Sequence, residues 1–272
     1  MQNTISEQAK KLVEITSKLK KNYSKTKLIT ITSGKGGVGK STITANLAYL
    51  LSKKNYKVAV LDADIGLANM QVLFDIKPQN TFFEYIEGKS NLQEIINSTQ
   101  YEDVYLIAGK SGYQYSSFKS SLLFSRLVND ILDLNSFDFL LIDTGAGLND
   151  YVKEFLTISD NILAVTTTDP SALTDVYSLM KMLSLDKNKL MLCFNHTKSY
   201  QIGQMICDSL IKLAKKNSLK ADFMIKYLGN ISSSTNIPIT SRLRKIFVKE
   251  FIADEASVQM EEICKNILLN IE

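Results

Sequence analysis

From Lys27 onward, short runs rich in β-branched and aromatic residues alternate with longer stretches whose apolar positions recur at helical spacing. The strand candidates are residues 28–32, 57–61, 104–108, 137–142, 161–166, 189–194 and 223–228. Several are apolar throughout, as strands covered on both faces must be. The helix candidates between them are 40–53, 120–134, 149–158, 171–184 and 202–217. This alternation predicts an α/β fold: a doubly wound, mostly parallel sheet with helices on both faces and right-handed crossovers. Residues 237–272 read as two helices with no further strand. Ahead of the repeating pattern, residues 1–26 form a polar, lysine-rich preface. There Ile5, Ala9, Leu12, Val13 and Leu19 suggest a short amphipathic helix followed by a linker. The expected organisation is therefore an arm, 1–26, and one domain, 27–272.

Ligands on such sheets bind beyond the carboxyl ends of the strands, so the residues following each strand carry the chemistry. After the first strand comes Ser33-Gly34-Lys35-Gly36-Gly37-Val38-Gly39-Lys40-Ser41-Thr42, which fits the G-x-x-x-x-G-K-[ST] phosphate loop. Glycines at 34, 36, 37 and 39 let the backbone turn tightly and point successive N–H groups at an anion. The helix that starts here adds the positive end of its dipole. Lys40 supplies a charge to the β- and γ-phosphates, and the Ser41 hydroxyl is a Mg²⁺ ligand. Thr42 donates to the α-phosphate. The site predicts a nucleoside triphosphate and Mg²⁺ as cofactors.

Two further segments follow strands. The second strand ends in Asp62-Ala63-Asp64-Ile65-Gly66-Leu67-Ala68-Asn69, whose carboxylates are placed to face Mg²⁺ and the γ-phosphate. The fourth ends in Asp143-Thr144-Gly145-Ala146-Gly147. An aspartate at the end of an apolar strand holds Mg²⁺ directly or through water, and the glycines behind it let backbone N–H groups approach the γ-phosphate.

Composition narrows the setting. The 272 residues are 45% hydrophobic with a formal charge of +4, too mild to argue for nucleic acid by itself. Three widely spaced cysteines with no CxxC pair argue against an iron–sulfur or zinc site within one chain. No apolar run approaches the roughly 20 residues that span a bilayer. The expectation is a cytoplasmic protein, or one held only peripherally on the inner face of the cell membrane.

Lys35 inside the loop gives K-G-G-x-G-K-[ST], which resembles the deviant Walker A motif of the MinD/ParA class of ATPases. The resemblance extends from Lys27 to about Leu268. It implies that the nucleotide is ATP, in an ATPase that dimerises around it, with Lys35 reaching the partner's nucleotide. In that class the second segment is a first switch, where Asp64 orients the attacking water and Asp62 supports the Mg²⁺ shell. The third is a second switch, with Asp143 at the metal and Gly145 at the γ-phosphate. Asn195, after the strand at 189–194, stands where family members place an adenine-reading asparagine. After Leu228-Gly229-Asn230-Ile231 the family's proline and aspartate are replaced by Ser232, Ser233 and Ser234.

Within the class, the 62–69 segment and Thr166-Thr167-Thr168-Asp169-Pro170-Ser171-Ala172-Leu173-Thr174-Asp175-Val176-Tyr177 look most like the flagellar-number regulators of the FlhG (FleN, YlxH) branch. Glu7-Gln8-Ala9-Lys10-Lys11-Leu12-Val13 resembles that branch's D-Q-A-x-x-L-R motif, with valine in place of arginine. The resemblance implies FlhF, an SRP-type GTPase, as a partner contacted through Gln8, and flagellar regulators or basal-body proteins as further partners. Division-site selection of the MinD type and DNA segregation of the ParA type are the alternatives. Arg242, Arg244, Lys245 and Lys249, interleaved with Leu243, Ile246, Phe247 and Phe251, are the stretch that would face a membrane surface; the other reading makes those apolar residues core.

Overall fold

The structure, a computed structural model, describes residues 25–271 apart from 67, 111, 113–121, 198, 218 and 221. Gln8 and most of the N-terminal arm lie outside these residues. The strands are β1 (Lys27–Ser33), β2 (Val58–Ala63), β3 (Ile96–Ser98), β4 (Val104–Ile107), β5 (Phe139–Ala146), β6 (Asn161–Thr166), β7 (Lys189–Asn195) and β8 (Met224–Ile231). They form one sheet in the order β3-β4-β2-β5-β1-β6-β7-β8. Every pairing is parallel except the edge pair β3 and β4. The helices among the described residues are α1 (Lys40–Ser52), α2 (Met70–Leu73), α3 (Phe82–Ile86), α4 (Leu123–Asp133), α5 (Asp150–Ile158), α6 (Pro170–Leu183), α7 (Tyr200–Lys216), α8 (Asn236–Arg242), α9 (Phe247–Glu250) and α10 (Glu255–Asn270).

Alternation along the strands sorts side chains into two layers. Ile29, Ile31, Phe139, Leu141, Leu163 and Val165 join Ile43, Leu47 and Leu51 of α1 and Met260 and Ile263 of α10 on one face. On the other, Leu28, Leu140 and Ile142 meet Phe124, Leu127 and Ile131 of α4, while Ile162 and Ala164 meet Val176 and Leu179 of α6. Each such fully buried side chain contributes roughly 1.5–3 kcal/mol relative to exposure. The strands read as continuous apolar runs because both faces are spent this way.

Two expectations change. The seven strands read from the sequence are present, but β3 is an eighth, three residues long and antiparallel. The C-terminal region holds three helices rather than two. Arg244 turns the chain with φ 54° after α8, and the Asp254 side chain accepts from Ala256 N at 3.0 Å to start α10. Between these points, Ile246 and Phe247 are buried, and Val248 N donates to Asn46 Oδ1 of α1 at 2.9 Å. Three of the four basic residues are engaged too: Arg244 pairs with Asp75 at 3.1 Å, Lys245 with Glu250 at 3.3 Å, and Lys249 lies over the Tyr101 ring. Ile246 and Phe247 of the stretch that would have faced a membrane are therefore core, although Leu243 is exposed. No helix among the described residues is long and apolar enough to cross a membrane.

One contact ties two neighbouring helices of one layer together in a pH-dependent way. The residue before α4, Leu122, makes no side-chain cap. Glu154 of α5 replaces it, accepting from Ser125 N at 2.8 Å and from the Phe124 backbone. Burial pushes the Glu154 carboxyl up to about 7 from 4.5. A carboxyl raised on folding contributes fully below its unfolded pKa and loses that contribution as pH climbs through the folded value. Glu154→Gln should therefore flatten the fall in stability between pH 4.5 and 7 and leave the variant on the order of 2 kcal/mol more stable at pH 8. Denaturant unfolding at pH 5 and pH 8 checks it; an unchanged pH slope refutes it.

Candidate functional site

The loop between β1 and α1 is built from both ends. Val38 is buried in the core and anchors the loop's middle. Gly37 and Gly39 take φ of 76° and 93°, a left-handed backbone that glycine adopts without strain. Ser33 Oγ donates to Lys35 O at 2.7 Å and closes the entry turn. Gly34 is required for a different reason: a Cβ there would stand 2.1 Å from Asp175 Cβ of α6. The first turn of α1 contains no acidic residue, so its N–H groups and dipole remain available to an anion.

Lys40 is buried at the head of α1, and burial pulls its pKa down while Asp143 and Asp64 support the charge. Asp143 ends the apolar run of β5 and is fully buried; burial pushes it up to about 6. The Ser41 hydroxyl lies beside it, and Thr44 Oγ1 donates to its Oδ1 at 3.2 Å. Its Oδ2 has no hydrogen-bond partner among the described residues. Asp62 sits directly across the β2–β5 register from Asp143. Burial, and then the Asp143 charge, push it up to about 8. Its Oδ2 accepts from Met70 N at 2.9 Å, which ties the start of α2 to the site. An orphaned carboxylate oxygen beside a hydroxyl and a second carboxylate is a set of hard oxygen donors short of positive charge. Such a set fits Mg²⁺, which takes one or two carboxylates and completes its shell with water and phosphate.

Asp64 lies just past β2, with Gly66 N donating to its Oδ1 at 3.2 Å. Gly145 of β5 faces it: a Cβ there would stand 3.2 Å from Asp64 Oδ1 and 2.6 Å from the Tyr151 hydroxyl oxygen. The C-terminal ends of β1, β2 and β5 thus bring Gly34 to Thr42, Asp62, Asp64, Asp143 and Gly145 together.

Two further residues named from the sequence, Lys35 and Asn195, make contacts of their own in the single chain. The Lys35 Nζ donates to Asp169 Oδ2 at 2.6 Å and to Ser171 Oγ at 2.9 Å. Asp169 precedes α6 and is held below the usual carboxylate range by Lys35 and Ser171. Asn195 is tucked behind the loop: its Nδ2 donates to Val38 O at 2.8 Å and its Oδ1 accepts from His196 N at 2.9 Å. Next to it, beyond β8, Ser232 to Asn236 with Asp254 and Glu255 line a surface cleft of about 350 Å³. Ser234 Oγ donates to Asp254 Oδ2 at 2.7 Å, so an acid from the cap of α10 stands beside the serines that replace the family's proline and aspartate. Thr44, Tyr151 and Asp254 escape sequence reasoning because each reaches the site from a distance along the chain or from the far side of a helix turn. Only Thr44, one turn after Lys40, carries a readable signal.

Against known proteins, a family model described as "ParA: NUBPL iron-transfer P-loop NTPase" matches residues 24–268. The chain belongs to the ParA/MinD family of P-loop NTPases. Within that family it is 40% identical over 252 residues to the flagellum site-determining protein YlxH of Helicobacter pylori, covering 92% of this chain and 85% of that protein. It is 29% identical over 243 residues to the antiactivator FleN of Pseudomonas aeruginosa, covering 88% and 85%. The fold is that of the cell-division ATPase MinD from Pyrococcus furiosus, with a TM-score of 0.76 at 24% identity over 89% of this chain and 98% of that one. The three cysteines do not gather into a metal-holding set among the described residues. Cys193, Cys207 and Cys264 are buried and unbridged, and burial pushes their thiols up to about 12, 11 and 11.

Proposed function

We propose that the protein is an ATP-dependent, dimerising molecular switch that hydrolyses ATP with Mg²⁺ and regulates the number or placement of flagella. The carrying observation is the convergence of Lys40, Ser41, Asp64 and Asp143 at the head of one phosphate loop, in a chain similar to YlxH and FleN. The loop's N–H groups and Lys40 bind the phosphates, and Thr42 supports the α-phosphate. Ser41 and Asp143 would hold Mg²⁺ with Asp62 behind them, and the metal, when bound, neutralises charge on the β- and γ-phosphates. Asp64 orients the attacking water, and the Gly145 backbone approaches the γ-phosphate. Little covalent work is needed, because phosphoryl transfer is mostly positioning and electrostatic stabilisation.

In the single chain, Lys35 rests on Asp169 and Ser171. In the ATP dimer it leaves them for the partner's nucleotide, so assembly and hydrolysis depend on one lysine. The output is a population of dimer rather than of product. That population engages flagellar regulators or basal-body proteins in the cytoplasm or on the inner face of the membrane. Residues 1–26, through Gln8, engage an FlhF-type GTPase. Asn195 serves the site by supporting the loop at Val38 and by standing at the adenine end. Division-site selection is less favoured, since α10 spends Met260, Ile263 and Ile267 on the core rather than on a lipid surface.

Light scattering and phosphate release with ATP against ADP test the reading. A dimer with ATP and Mg²⁺, a monomer with ADP, and phosphate release are expected. A monomer in both states, or no hydrolysis, overturns the switch; unaltered flagellar number in a deletion strain overturns the flagellar role.

A further inference from the structure

We propose that Tyr151 is a positioning residue that orients Asp64 from the helix following β5, an inference that rests on the ATPase reading above. Tyr151 lies in the first turn of α5, four residues beyond Gly147. Its hydroxyl oxygen stands 2.6 Å from the point a Cβ on Gly145 would occupy, and Asp64 Oδ1 stands 3.2 Å from that point. The phenol and the carboxylate therefore close over the same glycine. Any side chain at 145 would separate them or expel one of them.

Asn149 sets the direction of the phenol. Its Oδ1 accepts from Val152 N at 3.1 Å as the N-cap of α5. The amide NH₂ is then the part of Asn149 that faces the phenol oxygen, with which it hydrogen-bonds. A phenol has one proton to give. In the proposed arrangement that proton goes to Asp64, whose charge acts on the phenol. The ring is half-buried and packs against both apolar clusters on that face of the sheet, so the position of the hydroxyl is set by the fold.

Asp64 is consequently braced from two directions: by Gly66 N of its own turn and by α5 through Tyr151. The first brace belongs to the turn after β2, the second to the helix after β5. A movement of Gly145 or Asp64 relative to this fixed phenol re-aims the carboxylate. Hydrolysis thereby becomes sensitive to whether both segments have closed, which a carboxylate held only by its own turn would not sense.

The test is Tyr151→Phe, which keeps the ring and removes the hydroxyl. A lost positioning contact lowers kcat by about tenfold while KM for ATP, ADP affinity, ATP-dependent dimerisation and thermal midpoint match the wild type. Hydrolysis within twofold of wild type overturns the inference. So does a loss of kcat accompanied by equal losses in nucleotide affinity or thermal midpoint, which would make Tyr151 a merely structural residue. The wild type and Asp64→Ala run alongside separate the two ideas. If the wild type releases no phosphate, or Asp64→Ala hydrolyses normally, the underlying ATPase reading fails; if both behave as expected and Tyr151→Phe is silent, the tyrosine assignment alone fails.

Discussion

Asp64→Ala is expected to lose hydrolysis by at least about 100-fold while still binding ATP, because the group that orients the water is separate from the groups that hold the phosphates. On the proposed reading, phosphate affinity resides in the loop N–H groups, the dipole of α1 and the buried Lys40. Asp64 stands outside that set, on the turn after β2 and opposite Gly145. Its removal leaves Asp143 and Ser41 in place for the metal. The ATP-bound state then has no exit, so the dimer accumulates. Single-turnover phosphate release and light scattering measure both effects on one preparation. Wild-type turnover in this variant would remove Asp64 from its assigned role.

Lys35→Ala is expected to act in the opposite sense on assembly: ATP binds, yet neither dimer nor hydrolysis is detected. In the single chain the lysine Nζ donates to Asp169 and Ser171 at the start of α6, so its loss does not open the phosphate cradle. Asp169→Ala makes the informative contrast. It releases Lys35 from its resting partner, and since an exposed ion pair contributes little, dimerisation should strengthen severalfold at most. If Lys35→Ala dimerises with ATP as the wild type does, the lysine does not bridge subunits. If Asp169→Ala abolishes assembly, the resting contact is instead part of the dimer.

Much of this site was readable in advance because its parts are local. A phosphate loop is ten consecutive residues after a strand, and Asp62, Asp64 and Asp143 each follow an apolar run. What depends on distant segments was not readable. Lys35 meets Asp169 across 134 positions, and Asn195 reaches Val38 across 157; no spacing rule carries either contact. Glu154 caps a helix that lacks a local cap, which a scan for nearby Ser, Thr, Asp or Asn passes over. β3 escaped notice because three residues cannot display a period. The region from 237 onward was read as two helices because α8 and α9 are separated by a turn at Arg244, a residue type that gives no warning of positive φ.

The entry of the chain into the domain has its own consequence. Thr26 Oγ1 donates to Phe137 O at 2.7 Å and Lys27 N to Asp138 O at 2.7 Å, at the amino-terminal ends of β1 and β5. The phosphate loop leaves the other end of β1. Seven residues of strand at about 3.3 Å each separate the two ends by roughly 20 Å. The chain therefore enters the domain at one pole, and the phosphate loop stands at the other. A molecule anchored at the point where the chain enters β1 should keep the phosphate-loop end clear, so anchoring and switching can be assayed at the same time.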